Sequence, residues 1–160
     1  MWQQLIEILD RLCKVYDDLA NLGEKKRDAL VVVDMDALSK LLDQEQIITS
    51  KIQKLENQRC KILLDIAKDN SAVNSEIKAE DFYKTAPTPY LTKKLMELHI
   101  QLTENVERTL KIRENNLILA QTALDAVTFK LNRLGGAFVE PTYGTKGNIV
   151  THQKKFDYNA

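Results

Sequence analysis

The side chains best able to do chemistry near neutral pH are sparse in this chain, and none stands in a pattern that chemistry requires. His99 and His152 are its only histidines. Helical metal sites set two imidazoles one turn apart, as His-x-x-x-His, so that both reach one ion. No such spacing occurs. His99 lies beside Leu98 and Leu102, with Glu97 adjacent in sequence rather than on its face, and reads as a surface or seam residue. Cys13 and Cys60 form no Cys-x-x-Cys motif. Asp17-Asp18 and Glu104/Glu107 pair carboxylates, but acid–base work needs a pocket that shifts their pKa values. These positions are typical of solvated helix faces. Gly144-x-x-Gly147 lacks the strand-then-helix setting of a phosphate loop. The expectation is a protein without catalytic residues, cofactor or metal.

The elements that carry these residues are helical. Five glycines and three prolines in 160 residues are too few for the turns of a β protein. They cluster at 87–89 and 135–147, where breaks belong. Basic and acidic residues balance at 23 each, without the basic surplus of a nucleic-acid binder. The C-terminal stretch leans slightly positive through Lys146, Lys154 and Lys155, which suits a solvated tail or a weak phosphate contact. No apolar run is long enough to span a membrane, and Met1-Trp2-Gln3-Gln4 lacks the basic start of a signal peptide. A hairpin folding near residue 33 sets Cys13 opposite residue 53, with Cys60 about seven residues, or ~10 Å, further on. That is too far for a disulfide, so two buried free thiols in a reducing, cytoplasmic setting are expected.

Three long helices follow from the apolar spacing. Over 3–31, Leu5, Leu9, Leu12, Tyr16, Leu19 and Leu22 step by three and four. Gly23 weakens that pattern and marks a place to bend. Trp2 reads as a lid on one end of a bundle. Val31-Val32-Val33 fits a helix interior poorly, and Asp34 suits the cap of the next helix. That helix, over 35–68, carries Leu38, Leu41, Ile48, Ile52, Leu55, Ile62 and Ile66. Glu45 and Arg59 stand in the same stripe, where they fix register, contact a partner, or reach solvent from an edge. The short connection makes the pair antiparallel. Residues 69–87 are loop chemistry with one short helical turn around Phe82 and Tyr83, which tuck against the hairpin or form an exposed aromatic site.

Thr88-Pro89 opens the third helix, with Thr as cap and Pro at the first helical position. Leu110, Leu117, Leu124 and Leu131 recur every seven residues along it, beside a row of Val106, Ala120, Val127 and Leu134. The pattern stops at Gly135-Gly136. Some 46 residues, roughly 70 Å, exceed the 45–50 Å of the hairpin helices. Part of the apolar seam must therefore bury in a fold-back, a second copy or a client. Asn105, Arg108, Arg113, Glu114, Asn115 and Asn116 near the middle mark a place where the helix can bend or open. The chain reads as all-α: an antiparallel hairpin packed with a long third helix within residues 1–138, and a disordered tail over 139–160.

Two runs within this pattern resemble a known family. Lys26-Arg27-Asp28-Ala29-Leu30, then Asp34-Met35-Asp36-Ala37-Leu38, then Leu41-Leu42-Asp43-Gln44-Glu45-Gln46 form one. Asn116-x-x-Leu119 with Leu124 and Val127, Leu131 to Gly135, and Tyr143-Gly144-x-x-Gly147 form the other. Their order and the total length resemble the FlgN-type flagellar export chaperones. The resemblance implies binding of hook-associated proteins of the FlgK/FlgL type, whose terminal helical segments are covered before export, and delivery to an export gate protein of the FlhA type. It implies a client groove on the third helix, with Leu110, Leu117, Leu124 and Leu131 as contacts, and Tyr143 as the residue that docks at the gate. The same leucines serve equally well as an internal seam packed on the hairpin. A structural coiled-coil adaptor that homodimerises through the third helix is the alternative function.

Overall fold

The structure is a computed structural model that describes residues 1–69 and 77–135. Residues 70–76, where loop is expected, and 139–160, where a tail is expected, with Tyr143 and His152, lie outside the described residues. Four helices follow one another: α1 Trp2–Val32, α2 Met35–Asp69, α3 Ala79–Lys84 and α4 Pro89–Gly135. No strand occurs among the described residues. The fold is the all-α arrangement of a helical hairpin with a long additional helix.

The two sharp starts are capped as their residue types dictate. The Asp34 carboxylate accepts from the Ala37 N–H at 3.0 Å, and the Thr88 hydroxyl accepts from the Leu91 N–H at 3.3 Å. Between α1 and α2 the chain turns at Val33, which holds a left-handed conformation (φ 55°, ψ 41°). The Asp34 N–H reaches back to the Ala29 carbonyl and the Val33 N–H to that of Leu30. This is the paired hydrogen-bonding that closes a helix end, usually with glycine at the turning residue.

α1 is the centre of the molecule. It packs against α2 on one side and α4 on the other, and no Cα of α2 comes within 8 Å of α4 among the described residues. The single apolar stripe expected for α1 is therefore too narrow, since Ile6, Ile8, Cys13, Ala20 and Ala29 are buried in addition to Leu5, Leu9, Leu12 and Leu22. α4 runs parallel to α1: Asn105 meets Cys13, Thr109 meets Tyr16, and Asn116 meets Gly23. Gly23 causes no break in α1, which is continuous. Instead it lets α4 approach, with Ile112 filling the space a side chain would take.

The core gathers at one end. Leu5, Leu9 and Leu12 meet Leu95, Leu98 and Leu102 of α4, Leu55 and Ile66 of α2, and the aromatic pair of α3. Phe82 stacks near Trp2 (5.4 Å between centroids), and Tyr83 meets His99 edge-on at 5.6 Å. Both α3 aromatics are buried, and Trp2 packs against this end of the core. Both cysteines are free. Cys13 is buried, its thiol donating to the Leu98 carbonyl, but Cys60 is exposed. The expectation of two buried thiols fails for Cys60 because, among the described residues, no part of α4 packs on α2, and the face of α2 that carries Cys60 is left to solvent.

Candidate functional site

Toward the hairpin turn, the bundle opens. α2 and α4 both lean on α1 but stand apart from each other, so α1 becomes the floor of a groove with a volume of about 930 Å³. Tyr16, Leu19, Gly23 and Leu30 line the floor; Leu38, Leu42 and Ile52 stand on the α2 wall, and Leu110, Ile112 and Leu117 on the α4 wall. An open apolar trough between helices is the shape that accepts the apolar face of an amphipathic helix.

The α4 wall is held by polar contacts rather than by a leucine seam. The Asn105 amide donates to the Cys13 carbonyl at 3.0 Å and the Asn116 amide to the Gly23 carbonyl at 2.8 Å. The Arg108 guanidinium spans Asp17 (3.0 Å) and Asn21 (3.1 Å). The Thr109 hydroxyl donates to the Asn105 carbonyl and lies 3.4 Å from that of Tyr16. Residues that read as a weak point in sequence thus clamp α4 to α1, and α4 is one continuous helix of 47 residues. The Asn105 and Asn116 amides are aimed at main-chain oxygens, which need no particular side chain opposite them. Sequence pattern does not reveal them for that reason.

Because the clamp takes over the holding, the heptad leucines are left free. Leu110, Leu117, Leu124 and Leu131 are 54%, 64%, 54% and 59% exposed. Leu110 and Leu117 line the groove, whereas Leu124 and Leu131 lie beyond it. The register of Asn116 beside Gly23 brings the end of α1 level with residue 125, so about ten residues of α4, ~15 Å, run past the hairpin turn. Val127, Phe129 and Leu134 on this overhang are also exposed, as are Val31, Val32, Val33 and Met35 at the turn.

Charged groups in the groove are few. Lys26 and Glu45 form an ion pair of 2.6 Å between α1 and α2, with both side chains partly covered. Glu45 therefore crosses the hairpin, while Arg59, also in the α2 stripe, pairs with Glu56 one turn away at 2.8 Å. Burial raises the Cys13 thiol above its ordinary value, and Asp10 adds to the shift. Burial likewise raises the Tyr16 and Tyr83 phenols. These shifts follow from packing: Cys13 and Tyr83 lie in the core, and Tyr16 lies between the core and the groove floor. Among the described residues no cluster of three or more His, Cys, Asp or Glu side chains could hold a metal ion, and no helix is long and apolar enough to cross a membrane.

The described residues form a helical scaffold with a closed core at one end and an open, largely apolar groove at the other. The family model described as FlgN protein matches residues 1–151, and the chain belongs to that family, one of flagellar export chaperones. No curated protein and no solved structure matches the chain.

Proposed function

We propose that this protein acts in the cytoplasm as a chaperone for hook-associated proteins of the FlgK/FlgL type. It covers their terminal helical segments, prevents premature assembly, and delivers them to an export gate protein of the FlhA type. The groove between α2 and α4 carries this reading. It presents Leu110 and Leu117, each more than half exposed, on a wall already fixed to α1 by hydrogen bonds. Those leucines are consequently free to meet a client. Leu124 and Leu131 extend the same row past the groove, as a longer client helix needs. In this reading residues 1–138 form the chaperone domain, and Tyr143, assigned through the Tyr-Gly-x-x-Gly motif, docks at the gate.

The test is titration calorimetry of the full chain against the terminal helical segments of the hook-associated proteins from the same organism. The Leu110→Asp/Leu117→Asp pair should abolish binding while circular dichroism stays helical. The Leu124→Asp/Leu131→Asp pair should weaken it only for longer segments. Binding that survives the first pair moves the client off the groove. A chain that binds no segment and sediments as a stable dimer, which Leu124→Asp/Leu131→Asp dissociates, is instead a coiled-coil adaptor.

A further inference from the structure

The hairpin carries a second recess, one that no α4 residue lines. It is a cleft of about 390 Å³ between α1 and α2, and it shares no lining residue with the groove. Arg11 and Lys14 stand on its α1 edge and Lys51 and Lys54 on its α2 edge, with Val15 and Leu55 between them. All four cations are exposed, whereas Val15 is half-buried and Leu55 is buried, so the apolar pair forms the floor. Each pair of cations is three residues apart, a spacing that keeps both side chains on one side of their helix. No acidic residue lines the cleft.

The chain as a whole is neutral, so this is a local surplus. From Gln46 to Leu64, α2 carries Lys51, Lys54, Arg59 and Lys61 against the single carboxylate of Glu56. That carboxylate is taken by Arg59 at 2.8 Å, and Asp17 of α1 is taken by Arg108. Glu7 and Asp18 of α1 stay outside the lining. Asp10 holds Lys14 at 2.6 Å, but both side chains are exposed, and such a pair is weak enough to exchange partners. Arg11, Lys51 and Lys54 have no ion-pair partner among the described residues. Like charges gathered about one recess repel, and a partner of opposite charge relieves the repulsion.

The shape narrows the choice of partner. Nucleic acid is held by a basic stripe that tracks successive phosphates, and this cluster ends within about one turn on each helix. A membrane surface takes basic residues with apolar side chains standing out between them, whereas here the apolar residues lie at the bottom. We propose that the cleft docks an acidic segment of a partner protein, in which carboxylates flank a single apolar side chain. The carboxylates pair with Arg11 and Lys14 on one side and with Lys51 and Lys54 on the other. The apolar side chain rests on Val15 and Leu55. Because the cleft and the groove are lined by different residues, the inference does not depend on what the groove binds.

The experiment uses the full chain and a fluorescein-labelled peptide of about four helical turns, with glutamates one turn to either side of a single leucine. Binding is followed by fluorescence anisotropy. The peptide should bind, and its affinity should fall about tenfold or more as salt rises from about 50 to 300 mM. Lys51→Glu/Lys54→Glu should weaken binding about tenfold or more. Lys93→Glu/Lys111→Glu makes the same change in net charge at exposed α4 positions outside the cleft, and should stay within about twofold. Glutamine in place of the peptide's leucine should weaken binding about fivefold or more. If Lys51→Glu/Lys54→Glu loses helicity by circular dichroism, Arg11→Gln/Lys14→Gln takes its place with the same expected loss. Equal losses in the cleft and α4 variants, or equal binding of the glutamine peptide, overturn the inference in favour of general charge attraction. A peptide that does not bind overturns it outright. An RNA oligonucleotide or phosphatidylglycerol vesicles that bind more tightly than the peptide, and are released by the cleft variant, overturn it by giving the cleft to a different partner.

Discussion

Ile112 packs against the bare α-carbon of Gly23, its Cγ2 2.6 Å from the point a β-carbon would occupy. That approach sets how closely α4 lies on α1, and hence the position of the α4 wall. Alanine at position 23 would favour the helix by about 1 kcal/mol. It would also force a methyl group into a β-branched side chain that has little rotamer freedom, at about 1–3 kcal/mol. Gly23→Ala should therefore lower stability in urea unfolding by roughly 1 kcal/mol. In an Ile112→Ala background the same change should cost much less, because the clash is gone.

The hairpin turn yields opposite signs at neighbouring positions. Asp34→Ala removes the acceptor for the Ala37 N–H and should cost about 1 kcal/mol. Val33→Gly relieves a β-branched residue held at φ 55°, worth about 1–2 kcal/mol. The greater freedom of glycine in the unfolded chain offsets about 0.4–1 kcal/mol of this. A small net gain, roughly 0.5 kcal/mol, should appear as a raised urea midpoint with unchanged m.

Alkali should destabilise the fold, and the groups that cause it are identifiable. Burial raises Cys13 above its ordinary 9.0 and Tyr16 and Tyr83 above their ordinary 10.0. Below those values both folded and unfolded chains hold the protons, and the contribution to stability is fully present. Above pH 9 for the thiol, and above pH 10 for the phenols, the unfolded chain releases protons that the folded chain keeps. Stability then falls as pH rises. The Tm should fall as the pH rises above about 9, and more steeply above about 10, the ordinary values of the thiol and the phenols. The drop should be shallower in Cys13→Ala.

Helix type and succession were legible in the sequence because Leu5, Leu9 and Leu12, and the cap at Thr88-Pro89, state them locally. Which apolar face is covered was not legible. The Leu110–Leu131 row is the most regular in the chain, yet it is exposed, whereas Leu95, Leu98 and Leu102 enter the core. Periodicity defines a face and says nothing of what lies against it. The central place of α1 was hidden for the same reason, since its second buried face, at Ile6, Ile8 and Cys13, overlaps the first. Asn105, Arg108 and Asn116 read as a soft spot because residue type does not disclose that their partners are main-chain carbonyls and the Asp17 and Asn21 side chains of α1. The groove depends on α2 and α4 standing apart, a relation between helices distant in sequence. In the site, the leucine row was visible, but its division between groove and overhang was not.

Leu98 and Leu117 share one helix and one residue type, and they should respond to alanine in opposite ways. Leu98 is closed in among α1 and α4 residues at the packed end, so Leu98→Ala leaves a cavity and should cost about 2–5 kcal/mol. Leu117 stands on an open wall with most of its surface in water, so Leu117→Ala should change stability by no more than about 0.5 kcal/mol. Client binding should reverse the order. Leu98→Ala, measured where the chain is still folded, should bind a hook-associated helical segment with nearly the affinity of the unaltered chain. Leu117→Ala should weaken it about tenfold or more, the loss expected when a side chain that becomes buried on binding is truncated. Urea unfolding and calorimetric titration of both variants decide it. A Leu117→Ala chain that is destabilised by several kcal/mol, about the cost of a core leucine, would mean that the row packs inside the protein after all.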